Sequence, residues 1–105
     1  MKSWLPFLFV LLIFSSAGFS SSRNRRPHGA VVFDESGCLH CHTIGKNGGS
    51  TGPNLSGVGR KLKEAQMRRQ IVNGGKVMPP FGNVLDEKDL ADLLSFLHSC
   101  RDKIK

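Results

Sequence analysis

The chain has 105 residues and carries 15 Lys and Arg against 8 Asp and Glu, a formal net charge of +7. That length allows one domain and leaves no room for a second. Basic though it is, the sequence does not interleave aromatic with basic residues as nucleic-acid binders do, which argues against that class of partner.

The chain opens with Lys2, then an uncharged apolar run from Trp4 to Phe14, then the small residues of Ser15 to Ser20. This order of charge, apolar stretch and small residues reads as a secretory signal over residues 1–20. The apolar run falls short of the roughly 20 residues a membrane span needs, even when extended through Phe19. Export to the periplasm is therefore expected, with membrane attachment only if the segment is retained. No cysteine lies near it to carry a lipid. Residues 21–28, SSRNRRPH, are polar and basic and read as a flexible linker. The domain proper is expected over residues 29–105, and removal of about 20 residues leaves a small chain. A core of that size supplies only a few kcal/mol by itself.

The first predicted helix runs from Gly29 to about Cys41, with Gly29 and Phe33 one turn apart. It ends in Cys38-Leu39-His40-Cys41-His42. Two cysteines three apart, followed by a histidine, form a c-type haem attachment pattern. Residues three apart share a helical face, so both thiols can bond one porphyrin. His42 then falls beneath the ring, where an imidazole nitrogen can bind iron. A CxxC pair also occurs in zinc sites and in dithiol redox proteins. The first needs a second ligand pair and the second a βαβ pattern, and neither is visible here.

A glycine-rich stretch from Gly45 to Gly59 follows and reads as loop. It lacks the GxxxxGK[ST] spacing of a phosphate loop. The second predicted helix covers Lys61 to Asn73, with Leu62, Met67, Ile71 and Val72 on its apolar side and Asn73-Gly74-Gly75 as its stop. The segment from Lys76 to Asn83 contains Pro79 and Pro80 and cannot be helical. The last helix has Asp86 as N-cap, Glu87 and Asp89 in its first turn, and a stripe of Leu90, Leu93, Leu94 and Leu97 edged by Phe96. No strand pattern or repeat stands out. The chain reads as all-α with large loops.

Iron held by His42 needs a second axial ligand or an open position. Met67 sits at apolar helical spacing and reads as core. His98 lies on the flank of the leucine stripe and reads as partly exposed. Met78 stands in a loop stiffened by two prolines, where no helical packing calls for it, and is the expected second ligand. Cys100 reads as a buried, inert thiol on the apolar arc of the last helix. A disulfide-linked dimer is the alternative to a monomer.

Taken in order, Gly29-xxx-Phe33, the Cys38 to His42 run, Thr51-Gly52-Pro53-Asn54-Leu55, Met78-Pro79-Pro80-Phe81 and Leu93-Leu94-x-Phe96-Leu97 resemble class I cytochromes c, especially small bacterial monohaem members. The resemblance spans Gly29 to Cys100. It implies a cytochrome c-like fold of three to four helices with long Gly- and Pro-rich loops wrapped around one haem. The haem would be covalent through Cys38 and Cys41, with His42 and Met78 on the iron. It further implies that the Pro53 carbonyl accepts from the other His42 nitrogen, that Gly29 lets the first helix cross the last beneath Phe96, and that Arg60 neutralises a haem propionate. The domain has no tyrosine and loses its single tryptophan, Trp4, with the signal. The propionate contacts that relatives draw from those residues must come from elsewhere.

A His/Met pair fills both axial positions, which suits one-electron transfer and leaves no place for substrate. No acid–base pair or nucleophile arrangement supports a stand-alone enzyme. The expected function is an electron carrier between larger respiratory or periplasmic redox proteins. Two alternatives remain: a haem subunit of a multi-subunit oxidoreductase, and a gas-binding sensor if Met78 dissociates readily. Loss of Lys2 with the signal lowers the formal charge from +7 to +6, and two ionised propionates bring it to about +4. Arg60, Lys61, Lys63, Arg68, Arg69 and Lys76 form a basic set that can steer acidic redox partners, or serve only as scattered solubilising charge.

Overall fold

The computed structural model describes Gly18 and residues 26–103. The rest of the expected signal segment and linker residues 21–25 lie outside the described residues. The elements are α1 (His28–Glu35), a 3-10 turn (Cys38–His40), β1 (Thr43–Ile44), β2 (Asn47–Gly48), α2 (Val58–Lys61), α3 (Glu64–Asn73) and α4 (Glu87–Ser99). The expected all-α architecture is what forms, and the only strands among the described residues are one two-residue hairpin. Its register pairs Thr43 with Gly48 and Ile44 with Asn47 in antiparallel sense. Such a short hairpin has no alternation to detect, so no strand pattern was visible in the sequence.

Helix α4 is the spine. Asp86 accepts a hydrogen bond from the Asp89 amide at 2.7 Å, the cap expected from the sequence. The leucine stripe is buried, with Leu93 and Leu94 1% and 0% exposed. Against it pack Val32 and Phe33 of α1 and Met67 and Ile71 of α3. Phe33 and Phe96 meet edge to face, ring centroids 5.8 Å apart. The close crossing of α1 and α4 requires Gly29, since a Cβ there would lie 2.0 Å from the Asp92 carbonyl oxygen.

Three boundaries differ from the sequence expectation. Helix α1 stops at Glu35 and does not reach Cys41, because Gly37 turns left-handed at φ 80° and resets the chain into a 3-10 turn. A short helix, α2, occupies Val58–Lys61, where loop was expected through Gly59. Gly57 and Gly59 argue locally against helix, but Gly59 seats α2 against the end of α4, where a Cβ would lie 2.1 Å from the His98 carbonyl oxygen. Helix α3 therefore starts at Glu64, and Leu62, expected on its apolar side, is 38% exposed between the two helices.

The last linker residue, His28, begins α1, and Arg26 just before it is tied to the same helix. Arg26 pairs with Asp34. His28 Nδ1 donates to Asp92 Oδ2 at 2.7 Å, and Lys88 Nζ donates to the same oxygen at 2.9 Å. Lys88 first, and His28 after it, hold the Asp92 carboxyl below its ordinary value. A depressed carboxylate stabilises the fold above its unfolded value, about 3.9 for aspartate, and that contribution is lost as pH falls through the lower folded value. The denaturation midpoint should accordingly fall below about pH 4, modestly because the pair is exposed. Asp92→Asn should flatten that part of the pH profile, as followed by urea melts.

Candidate functional site

Three separate routes position the motif residues, of which Cys38, His42 and Met78 line one apolar cavity. The first is the 3-10 turn. There three residues complete a turn and side chains three apart eclipse, so Cys38 and Cys41 share a face without an α-helix. The His42 amide donates to the Cys38 carbonyl at 2.9 Å, closing the turn beneath the histidine.

The second route is the loop carrying Pro53. Gly52 N donates to Cys41 O at 2.7 Å and Leu55 N to Thr43 O at 2.8 Å, which folds residues 52–55 back over the turn. This brings the Pro53 carbonyl to 2.8 Å from His42 Nδ1. A carbonyl only accepts, so Nδ1 carries the proton and Nε2 keeps its lone pair. The imidazole is thus fixed in the tautomer that can bind a metal.

The third is the proline loop. Phe81 N donates to Ile71 O at 2.9 Å and Gly82 N to Val72 O at 3.2 Å, clipping the loop to the end of α3. Gly75 N donates to Met78 O at 2.9 Å. The expected helix stop at Asn73-Gly74 is present, with Gly74 at φ 71°. Met78 is half-buried and faces the cavity.

The cavity is small, about 30 Å³, and is lined by Cys38, His42 and Met78 with Phe33, Ser36, Leu55, Ile71, Phe81, Leu85, Leu93 and Leu97. Burial pushes the Cys38 thiol up to about 11, so it remains a neutral thiol against this apolar wall. A flat, largely apolar ring with a metal at its centre fits this donor set. His42, Met78 and Cys38 line the same space, and aliphatic and aromatic side chains form most of the rest.

Not every expected residue lines the cavity. Cys41 is half-buried at the end of the turn and is not among the lining residues. Arg60 is exposed on α2 and donates to the Arg101 carbonyl at 3.4 Å. Met67 is 3% exposed within the core and His98 lies on the surface, as expected of both. Cys100 sits half-buried just past the end of α4, where its Sγ donates to Phe96 O at 3.4 Å. Burial raises its pKa as well. Among the described residues no three His, Cys, Asp or Glu side chains come together as a metal cluster. No described helix is long and apolar enough to cross a membrane.

Ser36, Leu55 and Leu85 line the cavity without having been singled out for it. Each stands outside a regular helix, where no periodicity marks a buried face. The only signal was position: Leu55 within the Thr51 to Leu55 motif, and Ser36 two residues before Cys38.

A family model described as cytochrome c oxidase, cbb3-type, subunit III matches residues 24–97. The chain is 35% identical over 69 residues to the menaquinol:cytochrome c reductase cytochrome c subunit of Bacillus subtilis (strain 168), covering 66% of this chain and 26% of that protein. It is 29% identical over 86 residues to cytochrome c oxidase subunit 2 of Alkalihalophilus pseudofirmus, covering 70% of this chain and 25% of that protein. The chain thus spans about a quarter of the length of these curated relatives. No solved structure matches it.

Proposed function

The chain belongs to the c-type cytochrome family described as cytochrome c oxidase, cbb3-type, subunit III, and on that basis we propose that it is a one-electron carrier with a single haem c. The haem is attached through Cys38 and Cys41, with His42 and Met78 as axial ligands. The observation that carries this reading is the 2.8 Å contact from His42 Nδ1 to Pro53 O, which leaves Nε2 as a ligand on the cavity that Met78 also lines.

Each residue then has a task. Pro53 holds the His42 ring in orientation and raises its basicity. The clips to Ile71 and Val72 hold the proline loop so that Met78 is presented from the opposite chain segment. Phe33, Ile71, Leu93 and Leu97 exclude water from the cavity. Arg60, exposed at the end of α2, is the counter-charge proposed for a propionate. Bound there, the haem would supply a one-electron ferric/ferrous couple, and with His42 and Met78 both holding the iron it would suit electron transfer and not bond-making. The partners are acidic redox proteins steered by Lys61, Lys63, Arg69 and Lys76, all exposed. The domain works outside the cytoplasm, on the periplasmic side.

The names of the two relatives favour a second reading. One is a cytochrome c subunit of a reductase and the other a subunit of an oxidase. By that analogy the chain serves as an electron-transfer subunit within a larger oxidoreductase, which copurification of a stable complex would distinguish from a diffusible carrier.

The test is an absorption spectrum of protein matured in an exporting host, recorded oxidised, reduced, and reduced under carbon monoxide. The expected result is a c-type spectrum that carbon monoxide leaves unchanged. A prompt shift would replace the carrier reading with an open, gas-binding site. No haem signal would return Cys38 and Cys41 to zinc or dithiol chemistry.

A further inference from the structure

Ser56 is the single buried polar residue among the described residues, 6% exposed, and has no part in the site described so far. A buried polar group is ordinarily hydrogen-bonded, and Ser56 is bonded three times over. Its Oγ accepts from the Gly45 amide at 2.7 Å, its own amide donates to Asn54 Oδ1 at 2.9 Å, and its carbonyl accepts from the Asp102 amide at 3.0 Å. The first of these bonds completes a ladder. The chain from His42 to Gly45 runs beside the chain from Pro53 to Ser56, and three rungs join them. His42 Nδ1 donates to Pro53 O at 2.8 Å, Leu55 N to Thr43 O at 2.8 Å, and Gly45 N to Ser56 Oγ at 2.7 Å. Gly45 lies at φ 62°, where the chain turns into the hairpin, and the serine hydroxyl takes its amide in place of a backbone carbonyl. The bond to Asp102, just past α4, fastens this far rung to the spine. Pro53 and Asn54 are exposed and bury no side chain that could hold their backbone. Of the two rungs beyond the histidine, only the Ser56 rung is made by a side chain, so it alone can be removed by substitution.

We infer that Ser56 is a positioning residue for the His42 imidazole, acting through the Pro53 carbonyl. This rests on His42 being an axial ligand and does not depend on Met78. With the far rung closed, the Pro53 carbonyl stays on the Nδ1 proton, and Nε2 keeps its aim and its basicity. With it open, residues 53–55 are held at one point fewer, and the carbonyl spends more time off that proton. An imidazole with a weaker hydrogen bond donates less electron density to the metal, which favours the ferrous state over the ferric. Hydrogen bonding around a haem is one of the levers that set its potential.

The experiment compares holoprotein carrying Ser56→Ala or Ser56→Thr with the wild type. Alanine removes the hydroxyl alone, and threonine keeps it. Three quantities are measured: the rate at which the His42 Nδ1 proton exchanges with deuterated solvent, followed by NMR; the reduction potential; and the melting temperature. Ser56→Ala should exchange that proton about fivefold faster, the ratio for one ordinary hydrogen bond, and should shift the potential upward. Ser56→Thr should return both toward wild type. Wild-type exchange and potential in Ser56→Ala would overturn the inference, as would a lowered melt with both unchanged. So would a folded Ser56→Thr that behaves as the alanine variant does. A wild-type holoprotein whose His42 ring protons show no shift from the iron would overturn the His42 assignment and this inference with it. A ligated His42 with an indifferent Ser56→Ala would overturn this inference alone.

Discussion

Produced without haem, the chain should show no cooperative native melt, although its sequence is intact. Only ten apolar residues of the described structure are buried, and all of them but Ala30 form one cluster around α4. Four of the cavity-lining residues, Phe33, Ile71, Leu93 and Leu97, belong to that cluster. Leu55, Phe81 and Leu85 line the cavity too, half-buried on loops and packed against the edge of that cluster. Empty, the cavity would expose these groups to water or require them to collapse inward, and either removes part of a core that is already small. Domains below roughly 70–80 residues rarely draw more than about 3–5 kcal/mol from such a core. A ring covalently fastened at Cys38 would act as its largest apolar component. Circular dichroism with heating should give a broad, low-amplitude transition for haem-free chain and a sharp one for holoprotein. A sharp native transition without haem would show that the polypeptide core suffices.

The largest effect of a single side chain is expected at Gly29. A Cβ there would stand 2.0 Å from the Asp92 carbonyl oxygen and 2.6 Å from Phe96 Cβ. Neither neighbour is the end of a flexible side chain, so relief must come from separating α1 from α4. That would open the contact of Phe33 with Phe96 and uncover Val32. Overpacking of this kind costs about 3 kcal/mol or more when backbone must move, a large part of the 5–15 kcal/mol that holds a typical domain. Gly29→Ala holoprotein should denature at clearly lower urea than wild type, and Gly29→Val should fail to accumulate folded. Glu35→Ala, on the exposed end of the same helix, should leave the midpoint where it was. A Gly29→Ala midpoint equal to wild type would show that the crossing is looser than the structure has it.

The sequence was most legible where chemistry and spacing are local. The run from Cys38 to His42 announces itself by residue type, Met78 by its proline-stiffened loop, and α4 by a cap and a leucine stripe that need no partner to be recognised. It was least legible where a backbone is held by something distant. Gly59 reads as a breaker until α4 lies against it, and Leu62 reads as a buried residue of a longer helix until α2 and α3 prove to be separate. The Pro53 contact with His42 was implied by resemblance to a family; nothing in the spacing from His42 to Pro53 dictates it.

By itself, then, the sequence determined which groups are available: two thiols and an imidazole within one turn, a thioether held apart from any helix, and a helical spine to pack them on. The tertiary structure decided how they meet. It chose the 3-10 turn over a continued helix, brought the Pro53 carbonyl onto one nitrogen of His42 and the Ser56 hydroxyl onto the amide of Gly45, and lined the cavity with Ser36, Leu55 and Leu85. Spacing and periodicity are properties of a single segment. A hydrogen bond between two loops depends on both being closed by backbone contacts to a third element, and that is settled only when the chain is folded.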